Sequence, residues 1–499
     1  MHFNNLSVKE ESQRFLNHIT LENNSRIILS GIFGIGKTYF INKFFESNTE
    51  NFIEIKLNPV NYSVSQNEDI FELIKFDIGY QLFKEKPDFD QVKLNNLLAT
   101  EFFLSQNFGE LIVSLINTLS KIDHKINSIV QPILDLKQKV QKFKKEHEVD
   151  QEEELMSFLK EFKFSKGSFR EENSITELIN ILIETVKENN PEKKIVLVID
   201  DLDRIDPEHI FRILNVFSAH FDFYDLKDEN KFGFDKVILI CDIENIRGIF
   251  HNRYGTDIDF SGYIDKFYSL EIFKYDFRNI IISNLKNFYK SIKSENRTLQ
   301  GYIINNQGSY YTKELSFLLQ YFIQSNTLSM RSLVDFLNIE YEPEDNIIKT
   351  GGSFKVHTIE SPIFLIFDFL IKLFGGLDNL RFAVEKTMEK FPEIELSTYN
   401  DYWDLRLGNL AMILDFNSSN LKPKNDIYSF KNENLNIIIN YEINPTDYGV
   451  VGKARAVSFD IKESKSMNLF DIINSRINYF QILDASLKVY QTLPIEKAK

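Results

Sequence analysis

Cysteine occurs once in 499 residues, at Cys241. A single thiol cannot close an internal disulfide or build a cysteine-based zinc cluster, and it fits a reducing compartment. Basic residues are also in short supply: 58 Lys+Arg against 73 Asp+Glu leave a formal net charge of −15. Non-specific binding along nucleic acid requires a basic surface to neutralise phosphates, so the chain gives no strong nucleic-acid signal. A local basic groove stays open, with Lys139 to Lys145 its obvious source. Tryptophan occurs once against 46 Phe and 21 Tyr, a bias assigned to the source genome rather than to mechanism. Long apolar runs are missing as well. The best, Ser361 to Gly376, is short and carries Asp368 and Lys372, where a span needs about 20 mostly apolar residues; a buried helix is the better reading. The N-terminus shows no apolar stretch of the kind an export signal carries, and the expectation is a soluble, cytoplasmic protein without a membrane span. The eight histidines show no metal-ligand spacing.

What is present is ordinary for a globular protein: 43% hydrophobic and 26% charged residues, in a chain long enough for two or three cores. Ile27 to Leu29, a Gly-rich turn, an amphipathic stretch Tyr39 to Glu46 and Phe52 to Leu57 predict strand, turn, helix and strand, the start of an α/β domain. Apolar residues recur at three- and four-residue spacing from about Glu68 to Leu182, which predicts a helical insertion over residues 60–185. Ile195 to Ile199 and Val237 to Cys241 are unbroken apolar runs, as expected of parallel strands covered on both faces. Helices are predicted over Phe277 to Ile292 and Thr312 to Phe336. The Gly- and charge-rich stretch Glu340 to Ser353 predicts a boundary near 345. Beyond it, 346–499 is expected to form a mixed region of helices, strands over Leu435 to Ile443 and Arg455 to Ile461, and a last helix from Leu469 to Tyr490.

The most informative residues are Gly31-Ile32-Phe33-Gly34-Ile35-Gly36-Lys37-Thr38, which fit G-x-x-x-x-G-K-[ST], the Walker A pattern, at every fixed position. Glycines allow the backbone to curl until successive N–H groups converge on a phosphate. The following helix sets the positive end of its dipole behind that phosphate. Lys37 is then placed for the β- and γ-phosphate oxygens, and the Thr38 hydroxyl for Mg²⁺. Gly31, Gly34, Ile35, Gly36, Lys37, Thr38 and Tyr39 are the candidate nucleotide-binding residues. A partner strand must bring a carboxylate to the metal, and the run Ile195 to Ile199 ends in Asp200 and Asp201. Asp200 is the candidate metal carboxylate, in the manner of Walker B; Asp201 can orient and polarise an attacking water.

The wider string Asp200-Asp201-Leu202-Asp203-Arg204 resembles the KAP P-loop NTPases, whose Walker B region reads as apolar residues followed by D-D-L-D-R. Asp242 at the end of the next strand, Gly262-Tyr263-Ile264-Asp265-Lys266, and the segment Asn326 to Asn338 with Arg331 are similar to other features of that family. The resemblance covers roughly residues 10–340. It implies an α/β fold: a mainly parallel P-loop sheet flanked by helices, the loop's strand central, and the Val237 to Cys241 strand between it and the strand ending at Asp200. It also implies ATP with Mg²⁺ as ligands. Many relatives carry transmembrane helices in the insertion; residues 60–185 contain none, so anchoring is not carried over.

Other candidates keep two readings each. Arg204 and Arg331 are candidate catalytic residues that stabilise γ-phosphate charge; Arg204 could instead pair with Asp203, Asp206 or Glu208. Asp242 lies where ligands bind in open α/β sheets, or caps the following helix. The expected activity is Mg²⁺-dependent ATP hydrolysis, gated by a protein partner or by homo-oligomer assembly. Three outputs are open: a regulatory or assembly switch, in bacterial antiviral defence as for several relatives; a nucleic-acid-stimulated motor or loader; and a nucleotide-stabilised scaffold that does not turn over.

Overall fold

The computed structural model describes residues 6–62, 74–82 (except 76 and 80), 174–218, 232–306, 308–349, 355–395, 402–416, 427–432, 437–445, 451–461, 476–477 and 479–497. Most of the predicted insertion lies outside the described residues. The chain forms two compact units. One comprises Val8–Ile32 and Lys37–Tyr275; the other comprises Met1–Ser7, Phe33–Gly36 and Asp276–Lys499. The main division between these units falls after Tyr275. The stretch read as a boundary contains strand Asn346–Lys349, which pairs antiparallel with Lys355–His357 and with Ile495–Lys497 near the C-terminus.

The first unit is built on five strands: β1 (Arg26–Ser30), β2 (Phe52–Leu57), β3 (Lys194–Ile199), β4 (Lys236–Cys241) and β5 (Phe273–Lys274). Their order is β2-β3-β4-β1-β5, with every pairing parallel. The expected placement of β4 between β1 and β3 is what forms. β1 is not the middle strand, however; β4 is, because only two-residue β5 lies beyond β1.

Side-chain alternation explains the unbroken apolar runs. Ile55, Leu57, Leu197, Ile199, Val237 and Leu239 share one buried cluster with Leu182, Ile183 and Val186 of α3 (Ser174–Asn189), Ile210 and Ile213 of α4 (Pro207–Ile213), and Ile246 and Phe250 of α5 (Ile243–Tyr254). Helices α1 (Lys9–Ile19), through Phe15, and α2 (Lys37–Glu46), through Phe40 and Phe44, supply a separate aromatic layer. Phe15 packs edge-on against Phe40, Phe44 and Phe273 with ring centres 4.9–5.6 Å apart.

In the second unit the two long helices read from periodicity are each interrupted. Arg278–Ser283 and Leu285–Lys290 meet at Asn284, and Tyr310–Gln324 is separated from Met330–Leu337 by a turn with Asn326 in the left-handed region (φ 66°). Pro362–Phe374, the former span candidate, is a buried helix. No helix among the described residues is long and apolar enough to cross a membrane. Trp403–Leu414 lies directly on a three-stranded antiparallel sheet of Tyr428–Asn432, Ile437–Pro445 and Val451–Ile461. A Cβ on its Gly408 would stand 2.6 Å from the Ala454 carbonyl oxygen and the Ala456 nitrogen, so only glycine permits that approach. The last helix, Tyr479–Thr492, contributes Tyr479, whose hydroxyl donates to buried Glu314; Arg406 pairs with the same carboxylate.

Candidate functional site

β1 feeds the glycine-rich turn without a break in its ladder. Gly31 N donates to the Cys241 carbonyl at 3.1 Å, and the Ser30 hydroxyl accepts from Ile243 N at 3.0 Å, so the turn is tied to the start of α5. Gly34 and Gly36 take φ of 76° and 96°, conformations that residues with a Cβ resist. A Cβ at Gly36 would meet nothing within 4 Å. Ile35 is buried. Lys37, 7% exposed, donates its ammonium protons to the Gly31 carbonyl at 2.7 Å and the Ile32 carbonyl at 3.2 Å. Thr38, next in the helix, is exposed, and Tyr39 is half-buried. The first turn of α2 contains no acidic residue, so its positive end is left for an anion.

Within the other unit, the turn's tip meets Met330–Leu337 at its start. The guanidinium carbon of Arg331 lies 5.5 Å from the centre of the half-exposed Phe33 ring, and a Cβ on Gly34 would fall 2.8 Å from Ser329 Cβ.

The acidic string resolves into separate tasks. Asp200 ends β3 and is 1% exposed. Its Oδ1 accepts from Asp201 N at 2.9 Å. Its Oδ2 faces Lys56 Nζ at 3.2 Å but receives no hydrogen bond of good geometry. Asp201 is in the left-handed region (φ 53°, ψ 37°) and its carboxylate pairs with Arg204 at 2.9 Å. Arg204 thus pairs with Asp201, an acid other than the expected Asp203, Asp206 or Glu208. Buried Asp203 accepts from Asn245 Nδ2 at 3.1 Å, linking the string to α5. Asp242 accepts from Glu244 N at 3.1 Å and caps α5, the second of its two readings. Lys266 sits over the Tyr263 ring at 4.3 Å, and burial lowers its pKa.

β1 and β3 are both parallel neighbours of β4, so their carboxyl ends open on one edge of the sheet, about 10 Å apart by ordinary strand spacing. Charge perturbations report the same convergence. Burial pushes the Cys241 thiol far up, Asp203 and Asp242 push it the same way, and Lys37 opposes them.

Two charged neighbours of Asp200 were missed by sequence reasoning. Lys56 and Glu54 lie two residues apart on β2, so both point to one face. Lys56 Nζ also donates to Asn42 of α2 at 2.6 Å. Glu54 is pushed up to about 7, chiefly by burial, with Lys56 opposing and Asp200 reinforcing. The signal was the alternation in Phe52 to Leu57, which places two opposite charges on one side of an otherwise apolar strand.

The KAP family P-loop domain model matches residues 9–422. The match extends past the 10–340 range read from motifs, into the region beyond 345. No curated protein matches the chain at a significant level. With more than half of its length matched and its five-stranded parallel sheet carrying the glycine-rich turn, this chain belongs to the KAP family of P-loop NTPases.

Proposed function

We propose that the protein binds and hydrolyses ATP with Mg²⁺ and uses the cycle as a regulatory or assembly switch. The observation that carries this reading is the turn itself: two positive-φ glycines, and Lys37 drawn to the turn's own carbonyls ahead of an exposed Thr38. Lys37 would exchange its carbonyl partners for β- and γ-phosphate oxygens, while the turn's N–H groups and the α2 terminus hold the remaining negative charge.

The residues present fit a hard divalent cation. Asp200 Oδ2 is a buried carboxylate oxygen without a hydrogen bond, and Thr38 offers a hydroxyl; Mg²⁺ is held in this way by few protein ligands together with phosphates and water. When bound, it would neutralise charge developing on the phosphates. Asp201 would orient the attacking water, with Arg204 fixing the carboxylate's direction, and Arg331 is proposed to stabilise γ-phosphate charge. ATP as the nucleotide and bacterial antiviral defence as the setting are supported by the family resemblance.

Phosphate release from ATP tests the reading. The wild-type chain releases phosphate only with Mg²⁺, and Asp201→Asn retains nucleotide binding while losing about 100-fold or more in rate, the scale of removing a positioning group. Full activity in Asp201→Asn would remove it from the mechanism. A rate that rises steeply with DNA or RNA would favour the motor reading instead.

A further inference from the structure

We propose that Lys56 is a positioning residue that holds Asp200 in place by occupying its electrostatic field, and so sets how much Mg²⁺ the nucleotide site requires. The inference rests on the nucleotide-site reading above and deepens it.

Asp200 is 1% exposed, and a carboxylate removed from water needs a counter-charge. Among the described residues, the cation facing it is Lys56, 3.2 Å from Oδ2. That lysine is fixed from several directions. Its Nζ is shared with Asn42 Oδ1 at 2.6 Å, on the helix that begins with Lys37 and Thr38. Its backbone is clamped on both sides by the Gln81 side-chain amide, whose Oε1 accepts from Lys56 N at 2.9 Å and whose Nε2 donates to Lys56 O at 2.7 Å. Gln81 is steadied in turn by Asp77 at 2.9 Å. A mobile surface lysine has no such clamp. Glu54 lies on the same face, with its Oε1 buried and without a hydrogen bond, so one ammonium stands against two carboxylates.

The consequence is competition. A divalent cation that uses Asp200 must share the carboxylate with an ammonium already beside it, and two cations near one anion repel. Lys56 therefore keeps the carboxylate ordered before metal arrives and weakens its hold on the metal afterwards. This favours metal that comes with nucleotide phosphates, which add negative charge of their own.

The test uses the full-length protein and a fluorescent ADP analogue. Binding is measured first in EDTA, then as a function of Mg²⁺ at fixed nucleotide, for wild type, Lys56→Met, Lys56→Gln and Lys56→Arg. Both neutral variants are expected to bind in EDTA as wild type does and to need roughly tenfold less Mg²⁺ for half-saturation, while Lys56→Arg stays near wild type. Mg²⁺ with ADP should also raise the melting temperature of the neutral variants more than that of wild type. A merely structural lysine would change stability without moving the Mg²⁺ midpoint. If the neutral variants bind nucleotide in EDTA but show an unchanged or higher Mg²⁺ midpoint, the inference is overturned. If wild type binds no nucleotide under either condition, the nucleotide-site reading fails instead.

Discussion

Gly34 and Gly36 look alike in the sequence but are constrained differently. Both have positive φ, but a Cβ on Gly34 would also lie 2.8 Å from Ser329 Cβ, whereas one on Gly36 meets open space. Gly36→Ala should cost about 1–3 kcal/mol of backbone strain; Gly34→Ala should cost more and weaken nucleotide binding further, as read by urea melts and nucleotide titration. Comparable losses in the two variants would contradict the packing argument. Asp242→Ala should remove the α5 cap and lower stability by about 1 kcal/mol while nucleotide affinity stays at the wild-type level. Glu54 gives a pH signature. Its carboxyl is raised from the ordinary 4.5 to about 7 in the fold, so the folded state binds the extra proton between those values. Its contribution to stability is present below about pH 4.5 and is lost as pH rises through 7. Glu54→Gln should therefore gain melting temperature over wild type at pH 8 relative to pH 5; an equal difference at both values would contradict the assignment.

Among the elements, the apolar runs and the glycine-rich turn were legible because local pattern decides them. Ile195 to Ile199 and Val237 to Cys241 are buried on both faces, and no competing period disturbs the reading. The breaks at Asn284 and between Gln324 and Met330 were not legible, because apolar spacing continues across them and tertiary packing chooses the turn. The Lys56–Asp200 pair was illegible for a related reason: its partners are remote in sequence and meet only because β2 and β3 are neighbours, with Leu57 opposite Ile199. Gly408 shows the same limit, since nothing nearby in sequence marks a helix packed directly on strand backbone. Gly408→Ala should push Trp403–Leu414 off Val451–Ile461 and destabilise the fold by about 1–3 kcal/mol, measured by chemical denaturation; a neutral effect would mean that the helix is free to shift.

For the whole molecule, the family match over 9–422 spans residues of both compact units. A switch needs only that two conformations differ in nucleotide affinity. The proposed switch predicts a change in mass or hydrodynamic radius between the ATP-bound and ADP-bound protein, measured by light scattering with in-line chromatography.

The central claim, that the turn from Gly31 to Thr38 is a working nucleotide site, is tested most directly by titrating a fluorescent ATP analogue with Mg²⁺ into the wild-type protein and into Lys37→Ala. Saturable binding by wild type, weakened at least about tenfold in Lys37→Ala by loss of a charged phosphate contact, is the predicted result. Equal affinity in the two proteins, or no binding by either, would contradict it.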